Sequence, residues 1–523
     1  MRGKMSNTQK KIFSLFIILF FLIASIILQV HLFLNWDVRW LLLMTQKWLH
    51  GGHYYTDFVD TNPPTVLYFY LPIVLAKLHL NLSWRFLVYI YLILIGFISL
   101  AVIQYLVSKI FSDNNKFQLV LFFVLGFVYF ILPHEQFAQR EHFIFLLILP
   151  YLFLLTARLK NINIPFGLIF LTAVLAAMGF SVKPYFILVF ISLEIFYFSR
   201  TRKILSFFKM ENIIIGFILL FALISILFFF KDFTEKLLPL LWKLYYLGYA
   251  VSWHELVLAY PSIFIWGTCL VYFICRKFFD QRDFLDLLVI AALASFTCFL
   301  WERIGWFYQI YPAASFALLL SSVMLYQFFF LLQKKFSWRL GISLFLNIIF
   351  LLIILSDCVS LYGVYFQASN AFLHQDPVIK FLNQHIKNKK VFVFSTSVSS
   401  TYVALNFVPF QSVSRSSSLF LLPGLVKLQL QTKTIGQKKE FIPYQKKVFQ
   451  MVYEDLLKKP QWLMVDVSPE KVHLENIPLN YFAYFSQDSR IRSLLKKYHY
   501  VATVENYSFY EKNYSHLGIR CTL

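Results

Sequence analysis

Charge is scarce in this sequence: of 523 residues only 14% are Asp, Glu, Lys or Arg, against about 25% in ordinary globular chains. With 59% hydrophobic residues and a mean hydropathy of +0.65, that scarcity excludes a water-soluble fold, a disordered chain and a fibrous protein. Cysteine is nearly absent too. Of its five residues, Cys269, Cys275, Cys298 and Cys358 sit in or beside apolar runs and Cys521 stands alone in polar sequence, so a disulfide framework is excluded. Internal repeats and low-complexity linkers are missing, which removes solenoids and tethered modules. Acidic charge is the scarcer sign, 26 Asp and Glu against 48 Lys and Arg. In a soluble protein that excess would raise the question of nucleic acid. Here the cations fall in short loops between apolar runs, where membrane topology accounts for them, and no nucleic-acid partner is expected.

What is abundant is apolar sequence in long stretches. Runs at 12–34, 84–108, 117–133, 143–157, 162–180, 184–198, 212–230, 256–275, 284–300, 312–332 and 340–358 are candidates to cross a hydrocarbon core of about 30 Å. The first follows Arg2, Lys4, Lys10 and Lys11, as in a signal peptide, but its exit reads LFLNWDVRW with no small-residue cleavage site. It is expected to be an uncleaved first helix with a cytoplasmic N-terminus.

A further apolar stretch, 64–80, opens with Pro63-Pro64, and charge decides its place. If it does not span, the loops bearing Lys109 and Lys116, Arg158 and Lys160, Arg200 to Lys209, Arg276 to Arg282, and Lys334, Lys335 and Arg339 are all cytoplasmic, as basic loops should be. If it spans, every one of them is external. The expected fold is therefore a polytopic helical membrane protein with about eleven transmembrane helices and an interfacial helix in the first external loop. After residue 358 hydropathy falls. The β-like runs KVFVFST (390–396) and WLMVDVS (462–468), with helix-like stretches at 376–388 and 488–498, predict an external α/β domain. The expected division is a transmembrane domain 1–358 and an extramembrane domain 359–523.

On this topology the acids and bases outside the apolar runs fall largely on the external face. The first loop carries Asp37 just past the first span, where it could cap a helix at 38–49 that Gly51-Gly52 ends, or meet a lipid headgroup. Asp57 and Asp60 precede the proline pair and suit turns as well as chemistry. The second loop, HEQFAQREH, places His134, Glu135, Arg140, Glu141 and His142 between two very apolar helices. Such a group is costly unless paired or facing water, and so marks a site. A self-satisfied network of Arg140 with Glu135 or Glu141 is the structural alternative. The His and Glu spacing matches no strong ligand signature, so no metal is expected there. Lys183 in SVKP and Arg303 in WERIGWFYQIYP are isolated external cations, suited to anchoring or to a phosphate.

Three segments together resemble the GT-C glycosyltransferases, in the branch of protein O-mannosyltransferases and lipid A aminoarabinose transferases. They are NWDVRW with its proline-led helix, AQREHF, and ERIGWFYQIYPAASFALLL (302–320). The likeness covers roughly residues 1–330. It implies an inverting enzyme that moves a sugar from a polyprenyl-phosphate donor to an envelope lipid, glycan or protein. It also implies residence in a bacterial inner membrane with the C-terminal domain periplasmic, and membrane lipids as surroundings. By resemblance Asp37 orients or deprotonates the acceptor, Glu141 is the second-loop acid and Arg303 pairs with donor phosphate. Asp60 is a further catalytic candidate, and Arg140, Lys183, His142, Glu135 and Asp57 are candidates for substrate binding. No cofactor is implied. Thr61-Asn62 stand where aminoarabinose transferases carry an acidic-basic pair before Pro-Pro, which leaves the donor sugar open. A polysaccharide polymerase or ligase would share this chemistry; a transporter would place its ionisable groups nearer mid-membrane.

Overall fold

The computed structural model describes residues 7–334, 338–374, 376–432 and 435–513; Arg2, Lys4, Lys335 and Cys521 lie outside the described residues. The chain forms two compact units. One comprises Met1–Asn35, Pro63–Phe229 and Val251–Gln367, the other Trp36–Asn62, Phe230–Ala250 and Ala368–Leu523. The second unit thus takes in two segments that lie among the apolar runs in sequence. The helix Trp338–His374 continues past residue 358 without a break.

The first unit is a helical bundle. Among the described residues, eight of its helices are long and apolar enough to cross a membrane: Ile12–Val30, Trp84–Ile110, Arg140–Leu159, Pro184–Thr201, Met210–Phe229, Arg282–Glu302, Phe307–Leu332 and Leu340–Val364. Asn115–Phe130, Phe166–Val182 and Tyr260–Cys275 are shorter apolar helices; sixteen residues rise about 24 Å, short of the hydrocarbon core. Continuous Leu, Ile and Phe favour helices here because a helix satisfies its own backbone where water is absent. Local signals set the ends. Ser83 accepts a hydrogen bond from the Phe86 amide at 3.2 Å and Asn114 from the Phe117 amide at 3.1 Å, each opening a helix. Arg140–Leu159 is buried almost throughout and forms the centre of the bundle. Met210–Phe229 presents Phe217, Phe221, Phe228 and Phe229 outward, as a lipid-facing helix does.

Polar contacts gather at the two ends of this bundle. At one end Arg158 grips Glu211 with two bonds of 3.2 Å, Lys160 donates to the Ile110 carbonyl, Arg200 and Arg276 converge on Asp286 at 2.8 and 2.6 Å, and Tyr326 donates to Asn114. These are loops expected to share one face because they are basic. At the other end Arg85 donates to the carbonyls of Gln29, Val30 and Leu32, Thr65 to Ser181, and Tyr362 to Ile131. Thr65 opens the helix Thr65–His79, and Arg85 lies a few residues after its close. That helix therefore begins and finishes at the same end of the bundle.

The second unit is built on a five-stranded sheet in the order β2-β1-β3-β5-β4, with β1 Lys390–Phe394, β2 Gln411–Ser412, β3 Trp462–Asp466, β4 Tyr498–Val504 and β5 Tyr507–Lys512. β1 is parallel to β2 and β3, and β5 is antiparallel to β3 and β4. β1 and β3 are buried on both faces apart from Lys390, which is why they read as unbroken apolar runs. The helix Pro377–His385, capped by Asp376 through the amides of Val378 and Ile379, packs Leu382 against Val391, Trp462 and Phe509. The helix Leu422–Gln431 approaches Leu244 so closely that a Cβ on Gly424 would lie 1.8 Å from the Leu244 carbonyl oxygen, so only glycine fits there.

Candidate functional site

Three helix ends meet in the bundle to make its most heavily charged buried cluster. Glu141 lies in the first turn of Arg140–Leu159, where the helix dipole favours a carboxylate. Lys183 follows Phe166–Val182, and Pro184 after it turns the backbone extended at φ −134°, as a residue before proline prefers. Glu302 is the last residue of Arg282–Glu302, which stops because Arg303 adopts a left-handed φ of +58°. The Lys183 ammonium contacts both the Glu141 carboxylate and Glu302 Oε1, the latter at 2.6 Å. Arg140 Nε lies 3.9 Å from Glu141 Oε2. Glu141 is 0% exposed, Arg140 4%, Lys183 5% and Glu302 8%. The Tyr308 ring lies 5.3 Å from the Arg140 guanidinium carbon and 5.7 Å from Lys183 Nζ, and Tyr185 lies 5.4 Å from that same ammonium. Two carboxylates thus balance two cations, with aromatic faces completing the cations' surroundings.

The rest of the second loop braces this cluster. Asn35 donates to the Glu135 carbonyl at 3.1 Å and accepts from Gln139 at 2.8 Å, while Gln29 donates to the His134 carbonyl at 2.7 Å. The Glu135 carboxylate accepts from the His134 imidazole and the Gln136 amide. Burial pushes His134 down to about 3, so the ring is neutral and that contact is a hydrogen bond rather than an ion pair. His142 is bonded to the backbone on both sides, accepting from the Ala138 amide at 3.2 Å and donating to the Tyr129 carbonyl at 2.9 Å. His134 and Ala138 hold left-handed φ values of +39° and +67°, strain typical of a loop held for a purpose.

Of the residues singled out from sequence, Arg140, Glu141 and Lys183 therefore come together, Glu135 and His142 support them, and Glu302 joins them unforeseen. A signal for Glu302 existed: it closes an apolar run as Glu141 opens one. Its neighbour Arg303 turns elsewhere. Its guanidinium stacks 5.0 Å from the Trp253 ring and donates to the Val251 carbonyl at 3.3 Å.

The first-loop acids belong to the second unit. The helix expected at 38–49 begins at Trp36, so Asp37 lies in its first turn and is not its cap. Gly51, at φ +86°, ends it as expected. Burial chiefly, then Tyr245 and Tyr481 and to a smaller degree the charge of Asp37, push the nearby Tyr249 phenol well above its ordinary value. Asp60 accepts from the Trp40 indole at 2.6 Å and from the Asn62 amide at 2.8 Å, so both its oxygens fold the loop. Asp57 folds the loop through one oxygen, Oδ2, which accepts from the His53 amide at 2.9 Å and from Thr56 at 3.2 Å. Among the described residues no group of three or more His, Cys, Asp and Glu is arranged to hold a metal ion.

Lys47, on the Asp37 helix, donates to the carbonyls of Asp57 and Ser414 at 3.2 and 3.1 Å. Burial first, then Lys458 and Arg415 against the opposing Asp455 and Asp57, lower it to about 8. Between pH 8 and the ordinary lysine value near 10.5 the unfolded chain holds a proton that the folded one has lost, so stability rises with pH in that window. Thermal melts from pH 7.5 to 10 should show that rise in the wild type and a flatter profile for Lys47→Met. Parallel profiles would mean that the ammonium is solvated.

Compared with models of known protein families the sequence matches none, and comparison with curated proteins finds no match either. Fold and site together define a polytopic helical protein with a buried charged cluster at one end of its bundle and a small α/β unit.

Proposed function

We propose that the chain is an inverting GT-C-type glycosyltransferase that moves a sugar from a polyprenyl-phosphate donor to an envelope lipid, glycan or protein on the external face. The observation that carries this reading is the buried cluster of Arg140, Glu141, Lys183 and Glu302. Glycosyl transfer forms a bond from an acceptor oxygen to the anomeric carbon as the bond from that carbon to phosphate breaks. The acceptor proton must pass to a carboxylate and the charge left on phosphate must be met by cations. Lys183 and Arg140 supply those cations in a water-poor setting, held in place by Glu141 and Glu302 until a phosphate oxygen exchanges with a carboxylate. Asp37 is assigned to the acceptor proton on the family resemblance. The position of the charges at helix ends suits a lipid headgroup better than an ion path through the bilayer.

The reading includes eleven membrane crossings, the shorter helices crossing where the bilayer thins to match them, with a cytoplasmic N-terminus and a periplasmic C-terminal domain in a bacterial inner membrane. Both ends of Thr65–His79 lie at one end of the bundle, which supports an interfacial helix there. The test uses the purified protein in liposomes with a panel of polyprenyl-phosphate sugars, scoring release of polyprenyl phosphate. Impermeant maleimide labelling of His50→Cys and Leu430→Cys reports sidedness in parallel. Release from at least one donor and labelling of both positions from one side are expected. Consumption only of a diphosphate-linked oligosaccharide would point to a polymerase or ligase, and labelling from opposite sides would sink the topology.

A further inference from the structure

A groove of about 730 Å³ runs between the helices Asn115–Phe130, Phe307–Lys334 and Trp338–His374. That volume falls within the roughly 300–1,000 Å³ of small-molecule sites. Its walls are apolar along most of its length, with Phe123, Phe127, Leu318 and Leu351 among them. Its polar side chains among the described residues are Lys116, Tyr326 and Ser322, the last about one helical turn from Tyr326. Lys116 lines the groove from the first turn of its helix, and Tyr326 lines it while donating to Asn114, the residue that caps that same turn. These two lie at the end of the bundle that carries the basic loops.

The Lys116 side chain is exposed, and among the described residues no carboxylate lines the groove. Asp113, the nearest acid in sequence, lies outside the lining. An apolar trough with Lys116 as the cation among its described lining residues is complementary to a hydrocarbon chain ending in an anion. We propose that this groove holds one chain of an anionic glycerophospholipid whose phosphate pairs with Lys116. The polyprenyl-phosphate donor of the proposed reaction is a different ligand by position. The helix Asn115–Phe130 separates Lys116 from the loop that leads to Arg140 by about 24 Å of rise, so a phosphate held at Lys116 cannot also meet Arg140 and Lys183. Chain burial exchanges one hydrocarbon surrounding for another, so headgroup choice rests on the ion pair.

Native mass spectrometry of the full chain in detergent tests this, using phosphatidylglycerol and phosphatidylcholine with identical acyl chains. Retention of phosphatidylglycerol is expected to exceed that of phosphatidylcholine by about five-fold, the effect of one lysine near an anionic headgroup. Lys116→Gln should abolish the preference, and Lys116→Arg should keep it. Leu351→Trp, or Leu355→Trp should the former unfold, fills the trough and should lower retention of both lipids. Equal retention of the two lipids by the wild type, or a preference that survives Lys116→Gln, overturns the proposal. So does displacement of phosphatidylglycerol by equimolar polyprenyl phosphate, which would make the groove a donor-lipid site. These outcomes are read without any transfer assay, so the proposal can fail while the proposed enzymatic function stands.

Discussion

Asp37→Asn is expected to lower sugar transfer by about 100-fold or more, the usual cost of losing a general base, while leaving the protein folded. The position makes the two effects separable. Asp37 lies in the first turn of Trp36–Leu49, where a carboxylate gains roughly 0.3–1 kcal/mol from the helix dipole. Asn keeps the shape and loses the charge, and with it that gain. The carboxylate charge is felt by Tyr249 within the second unit, so its removal should also ease ionisation of that phenol slightly. The check is the polyprenyl-phosphate assay alongside a melt of each sample. Near-normal turnover in a folded sample would reduce Asp37 to a helix-dipole residue. Glu141 would then be the next carboxylate to test, because Asp60 already uses both its oxygens inside the loop and Asp57 one of its two.

Sequence made the membrane part legible because a single physical requirement, an apolar run with no unpaired backbone, acts on every residue of a span. Each of the eleven runs is helical, and four of the expected basic loops gather at one end of the bundle, the fifth, at Lys334 to Arg339, having its side chains outside the described residues. Strands β1 and β3 and the helices Pro377–His385 and Ser489–Leu495 were legible for the same reason, being buried or clearly amphipathic. Less was legible where contacts are distant in the chain. β4 and β5 went unread because a half-exposed hairpin with Glu505 and Asn506 at its turn carries a weak pattern. Nothing local says that 230–250 and 36–62 fold with the C-terminal sequence. At the site, Glu141 and Lys183 stood out as charges at helix ends. Their mutual contact, and the preference of Lys183 for Glu302 as second partner, depends on which of the helices are neighbours. The choice between Glu302 and Arg303 turned on one backbone angle. With Arg303 at φ +58° the helix ends at Glu302, leaving Glu302 against Lys183 and Arg303 on Trp253.

Lys183→Met is expected to cost about 3–5 kcal/mol of stability, the range for removing one partner of a buried ion pair. It would leave Glu141 and Glu302 buried with the cation that both contact gone. Arg140, 3.9 Å from Glu141 and close enough for its charge to act on Glu302, would then have to balance both carboxylates. The double variant Lys183→Met with Glu302→Gln should recover most of the loss, because one carboxylate, Glu141, then faces one cation, Arg140. Such recovery is the coupling expected of groups in one network. Transfer should not recover with it, since the cation that meets the departing phosphate is still missing. Melting midpoints in one detergent at a fixed heating rate check the first part, because unfolding of such proteins is governed by rate. The donor assay checks the second. A single variant as stable as the wild type would mean that water reaches the cluster. A double variant that regained turnover would mean that Lys183 serves only to hold the two carboxylates apart, and the phosphate would have to be met by Arg140 alone.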